Sequence, residues 1–336
     1  MEMEYKVAAP AKHDNEEYDE DEHGQAVSPP QELQVIKAAR LRLRSSMSLE
    51  QAFEAIVTNC LEQVEGNEQG VIHGKDPESV HQMRVGLRRL RSAFDLFENV
   101  IECPKVLQAE WKWIGAQLGV ARDWEVLADS TLEHLAWELP PHIDVAALKQ
   151  SALEQARKNR EQAAQAVQST RYMQLKQHFM EWLDSKGWRN SQFDRTASLI
   201  DMPVKKFARQ AMRHGESRLL KRGKQLKQNE PESRHRVRIA SKKVRYATEF
   251  LQSLFPKKQV RNYVSTLSDL QQELGWLNDA AVAMRMLDQI QVLDQPVAAT
   301  AAFARGYMYA TIHGDHPRLL KLWKRFAKVP PPYANR

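Results

Sequence analysis

The sequence predicts an all-α protein arranged as two helical bundles related by a pseudo-twofold axis. Three observations carry that prediction. From Ser48 onward, apolar side chains recur at spacings of three and four, the period of helices buried along one face. Strand-like alternation bounded by turn residues is almost absent, apart from the short RLRLR run at 40–44. A stretch of the N-terminal half also returns without a gap 154 residues later. Two copies at so long a period point to paired bundles rather than to a solenoid of short repeats.

The elements follow in order. Residues 1–47 are expected to be an acidic, mostly disordered tail. Their first 30 positions hold nine acids against two lysines, a net of −7, with too little apolar surface to offset the entropy of ordering. The first half, 48–185, is expected to form helices at about 49–65, 77–101, 105–118, 123–137, 145–168 and 170–185, with breaks at Gly66-Asn67 and Pro140-Pro141. KGWRNSQFDRTASLIDM, residues 186–202, reads as a linker. The second half, 203–328, is expected at about 204–228, 231–255, 257–274, 278–292, 296–312 and 316–327, and 329–336 closes the chain as a short tail.

Within the first half, VHQMRVGLRRLRSAFDLF at 80–97 crowds like charges together. On a helix, His81, Arg84, Arg88 and Arg91 fall within an arc of about 80°, beside an apolar arc of Met83, Leu87, Leu90, Phe94 and Phe97. Neighbouring cations at these spacings cost a few tenths of a kcal/mol per pair, a cost that an anion along the stripe would offset. The repeat makes this stripe more than a solvated face. DPESVHQMRVGLRRLRSAFDLF at 76–97 aligns with EPESRHRVRIASKKVRYATEFL at 230–251. His81 matches His235, Arg84 matches Arg238, Arg88 matches Lys242, Arg89 matches Lys243 and Arg91 matches Arg245. Asp76-Pro77 and Glu230-Pro231, followed by Glu78 and Glu232, are helix-start signals. Further on, LGVARDWEVLAD at 118–129 answers LGWLNDAAVAMR at 274–285, pairing Gly119 with Gly275 and Asp123 with Asp279. Both aspartates stand where an N-cap is expected; orienting a neighbouring arginine is the alternative.

Each stripe is about 15 Å long, which suits an extended anion. Arginine forks bind phosphate oxygens in pairs, and Lys242 and Lys243 add point charges. His81 and His235 would donate to phosphate best when protonated, a state that a polyanion favours; the alternative is a hydrogen-bonded core or capping role. Two further basic faces stand near in sequence. RHGESRLLKRGKQLK at 213–227 places His214, Arg218, Lys221 and Arg222 on one side, and HPRLLKLWKRFAK at 316–328 places Lys321, Lys324 and Arg325 beside Leu320, Trp323 and Phe326.

Composition narrows the function classes. The chain carries +6 overall, but residues 31–336 carry +13, so the basic part is the folded part and a polyanionic partner is expected. Cys60 and Cys103 lack metal-site spacing, and no apolar signal or membrane-spanning run occurs, so a cytoplasmic protein without membrane association is expected. A polyphosphate hydrolase or kinase would need metal-holding carboxylates, a phosphate-cradling glycine loop or a positioned nucleophile. The sequence has no G-x-x-x-x-G-K-[ST] and no H-E-x-x-H, and Asp95 and Glu249 read as i,i+4 partners of Arg91 and Arg245. No enzyme activity, cofactor or metal is therefore expected. Nucleic-acid backbone binding is the main alternative function. Against it, Trp111, Trp113, Trp182, Trp276 and Trp323 sit at core phases, and only Tyr246 lies near a stripe.

The paired VHQMRVGLRRLR and RHRVRIASKKVRY, the LGxxRD and LGxxND between them, and the closing RLLKLWKRF resemble the CHAD family, the conserved histidine α-helical domain, over about residues 48–328. The resemblance implies two four-helix-bundle-like halves related by a pseudo-twofold axis around a basic central groove. It further implies non-catalytic binding of inorganic polyphosphate there and association with polyphosphate granules. The binding motif falls on His81, Arg84, Arg88, Arg89 and Arg91, and on His235, Arg238, Lys242, Lys243, Arg245 and Tyr246. Arg218, Lys221, Arg222 and Lys324 are expected to line the same groove. Ser92 stands opposite Tyr246, so the RY pair exists only in the second copy. Many relatives carry a CYTH domain ahead of this one. Glu2, Glu4 and Lys6 match its E-x-E-x-K strand by chance, since too few residues precede the first helix to build the barrel, and a stand-alone CHAD protein is expected.

Overall fold

The computed structural model describes residues 34–74, 76–138, 143, 145–190, 199–314 and 316–334. The expected disorder of the acidic N-terminus lies outside them. Among the described residues the chain is helical and has no β-sheet, in agreement with the all-α expectation.

Helix α1 (Leu49–Glu65) starts at Ser48, whose hydroxyl accepts from Gln51 N while the Gln51 side chain accepts from Ser48 N, a reciprocal cap. A short α2 (Glu68–His73) leads to α3 (Pro77–Phe97), where Asp76 caps Glu78 N at 2.8 Å and Pro77 takes the first helical position. Gly86 lets α3 approach α1 closely, because a Cβ there would lie 2.8 Å from Val64 Cγ2. Then follow α4 (Lys105–Val126), a π-helical turn (Leu127–Thr131), α5 (Leu132–Glu138), α6 (Val145–Gln168) and α7 (Thr170–Asp184). The second half contributes α8 (Val204–Gly223), α9 (Pro231–Leu251), α10 (Lys257–Leu293), α11 (Ala298–Gly314) and α12 (His316–Phe326). Asn229, at φ 55°, turns the chain before α9, and Arg234 Nη1 bonds its carbonyl and side chain at 3.0 and 2.6 Å.

Three expectations change. The breaks foreseen near residues 119–122 and 275–277 do not occur: α4 and α10 run straight through, so Asp123 lies in the last turn of α4 and Asp279 in the interior of α10, and neither is an N-cap. Residues 34–47 are an ordered strap rather than tail. Asn67 bonds Ile36 through both its amide groups, Asn59 Nδ2 donates to Ala39 O, and Ser253 Oγ exchanges two bonds with the backbone of Leu43. Alternation in RLRLR is real there, with Leu43 buried and Arg40, Arg42 and Arg44 exposed, but the strap pairs with no strand. Finally, the described ends of the segment read as a linker are anchored: Trp188 is buried and donates to Glu50 at 2.8 Å, and Ile200 is buried.

The two hydrophobic cores do not follow the two halves. One joins Phe53, Phe97, Trp111, Phe179 and Trp188 to Phe207, Met212, Phe250 and Val260. The other joins Trp124, Leu132, Leu148 and Ala156 to Leu219, Val244, Leu267, Leu287 and Phe326. Stacking of Phe97 on Phe207, with centroids 5.0 Å apart, is one such junction. At the entrances to α1 and α8, Leu49 N donates to Met202 O at 3.0 Å and Val204 N to Met47 O at 3.1 Å. This shared packing fixes α3 against α9.

Candidate functional site

Where α3 meets α9, four cations share one electrostatic neighbourhood. Arg84 and Arg88 from α3 both act on Arg238 and Lys242 of α9. Two acids oppose them, Asp123 from α4 and Asp279 from α10. Arg84 is held: its Nη1 donates to Gly119 O at 2.8 Å and to Asp123 Oδ1 at 2.9 Å. Its counterpart Arg238 feels Asp279 but, among the described residues, makes no ion pair, and neither do Arg88 or Lys242. The Nε atoms of Arg88 and Arg238 are buried without a hydrogen-bond partner. Burial, then Arg238 and Arg88, push the Lys242 ammonium down to about 7 against the opposing pull of Asp279. Burial likewise works against the charge of Arg238. His81 sits beside the cluster, and burial followed by Arg122 lowers its pKa, which disfavours the protonated imidazole.

The remaining predicted residues divide. Arg89 is not brought to the cluster. It is buried in the first core, donates to Gln63 at 2.8 Å and Asn59 at 2.6 Å, and lies over the Phe250 ring. Lys243 turns to Asp95 of α3 at 2.9 Å, so the expected Arg91–Asp95 pair gives way to a cross-helix pair and Arg91 is left exposed. Arg245 binds Glu249 as expected and also Ser268. Tyr246 packs half-buried against the first core. His235 is exposed beside Arg238, Asn278 and Arg285 around a pocket of about 560 Å³. Arg218 and Arg222 of α8 face a different pocket, together with Lys243. Lys221 and Lys324 are exposed, and neither is among the charges acting most strongly on Lys242. Sequence reasoning passed over Arg122 and Arg285. Arg122 was visible as the residue before Asp123 in the repeated LGxxRD; Arg285 had no signal beyond its charge.

With this geometry in hand, the comparisons decide the family. The CHAD domain family model matches residues 55–288. The chain belongs to the CHAD domain family. The crystal structure of the CHAD domain from the plant Ricinus communis is similar at a TM-score of 0.75 and 39% identity, over 86% of this chain and 96% of that one. PptA from Streptomyces chartreusis shares the fold at a TM-score of 0.54 and 15% identity, over 84% of this chain and 98% of the other. No curated protein matches the chain.

In this CHAD domain the paired helices hold more positive than negative charge in a partly buried place. Four cations opposed by two acids repel one another on balance, and each unpartnered guanidinium nitrogen adds a desolvation cost. A multivalent anion would relieve both. Among the described residues no group of three or more His, Cys, Asp or Glu side chains could hold a metal ion, and no helix is long and apolar enough to cross a membrane.

Proposed function

We propose that this CHAD domain binds inorganic polyphosphate without turning it over, in a basic groove between two pseudo-twofold-related halves. The family is linked to polyphosphate. The observation that carries the reading is the set of Arg88, Arg238 and Lys242, gathered from both repeats beside Arg84 and making no ion pair among the described residues. A phosphate chain presents anionic oxygens in series, which suits forks and point charges arrayed along two helices. It needs no aromatic platform, and the aromatic residue nearest a stripe, Tyr246, is tied into the core. The proposal extends to a cytoplasmic setting at polyphosphate granules, to which the buried free thiols Cys60 and Cys103 are suited.

The test is a titration of labelled long-chain polyphosphate, challenged with single-stranded RNA, duplex DNA and heparin at low and physiological salt. The wild type is compared with an Arg88→Ala, Lys242→Ala double variant, and released phosphate is assayed alongside. Retention of polyphosphate at physiological salt, resistance to the other polyanions and loss in the double variant support the proposal. Equal displacement by RNA or DNA favours weak nucleic-acid backbone binding instead. Steady phosphate release would overturn the non-catalytic part.

A further inference from the structure

A second pocket lies apart from the cationic cluster. It has a volume of about 460 Å³ and opens between the C-terminal turns of α3, the middle of α8 and the far side of α9. On α9 its lining residues Ala240, Lys243, Val244 and Ala247 point roughly 155° away from the arc of His235, Arg238 and Lys242. The two sites therefore use opposite faces of one helix. Leu96, Phe207, Met212 and Val244 make most of the wall apolar.

Polar groups gather on one side. Arg218 is exposed and has no ion-pair partner among the described residues, and Arg222 spends one Nη1 bond of 3.3 Å on Arg236 O. His214 stands with them. Lys243 is already neutralised by Asp95, and Glu98 also faces the pocket, so the surplus is small and suits a single negative charge rather than several. An apolar chamber of this size with a few convergent cations has the make-up of a small-molecule site. We infer that the pocket between α3, α8 and α9 binds a small amphipathic monoanion, an aliphatic carboxylate whose chain lies against Leu96, Phe207 and Val244 and whose head meets Arg218 and Arg222.

This inference does not depend on the polyphosphate reading, and its test separates the two. The full chain is titrated calorimetrically with octanoate and, as the uncharged match, with 1-octanol. Saturable binding of one octanoate per chain is expected, with octanol about tenfold weaker or worse, the worth of a charged contact of about 1.4 kcal/mol. An Arg218→Gln, Arg222→Gln variant, altered at solvent-facing positions, should bind octanoate about tenfold more weakly and octanol unchanged. Ala211→Trp, which fills the chamber, should abolish both. Long-chain polyphosphate should leave the octanoate isotherm unmoved. No saturation at millimolar octanoate, equal affinity for octanol, indifference to the double Gln variant, or displacement by polyphosphate would each overturn the assignment.

Discussion

Arg84 donates to Asp123 at 2.9 Å, whereas Arg238, 154 positions later in the sequence, makes no ion pair with Asp279 among the described residues. One arm of the cluster is tied to its acid and the other is not. The two acids should therefore respond differently to removal. At pH 6, Asp123→Ala is expected to weaken polyphosphate binding several-fold although it removes a negative charge, because it releases Arg84. Asp279→Asn is expected to strengthen it by about the same factor. Affinity rising in both variants would show that only net charge matters.

Lys242 couples the site to pH. Its folded pKa of about 7 lies below the ordinary lysine value of 10.5, so between these the unfolded chain binds more protons than the native one. Stability of the free protein should rise with pH across that window, while anion affinity should fall as Lys242 loses its charge. Opposite slopes in thermal melts and in binding titrations from pH 6 to 9 are the expected outcome. Lys242→Met should stabilise the free protein by about 1–3 kcal/mol and flatten both profiles.

Glu50 supplies the acid limit of stability. It is buried and accepts from Trp188, Arg189 and Lys186, and these bonds, Arg189 first, hold its carboxyl down at about 2. A lowered carboxylate pKa gives stability that is complete above about pH 4.5 and is lost as pH falls towards 2. Glu50→Gln should cost about 3 kcal/mol in urea denaturation at pH 7 and only about 1 kcal/mol at pH 2.5.

Gly275 offers the reverse case. It sits inside α10, and a Cβ there would meet nothing within 4 Å. Gly275→Ala should raise stability by about 0.5–1 kcal/mol, read as a higher melting temperature with polyphosphate affinity unchanged.

Gly275 and Gly119 also show where sequence reading runs out. The helix start at Asp76-Pro77 is legible because its cap is local chemistry. Gly119 and Gly275, each four residues before an aspartate, have the local look of a helix end. In α4 the continuity coincides with a bond from Arg84, which reaches both the Gly119 carbonyl and Asp123 from another helix, and no local pattern reveals that. The stripe was legible as a stripe, and Arg84, Arg88, Arg238 and Lys242 do meet. Arg89 stands away from the cluster because its partners Asn59 and Gln63 lie on α1, and only packing shows that a buried polar network absorbs its charge. The strap escaped notice for a related reason: its backbone bonds go to single side chains, Asn59, Asn67 and Ser253, rather than to a repeating partner.

The interleaved cores have a consequence during synthesis. The first core needs Phe250 and Val260, and the second joins Trp124 and Leu148 to Phe326, so neither can close while the second repeat is still in the ribosome. Part of each core therefore stays uncovered until the C-terminal half of the chain has been made.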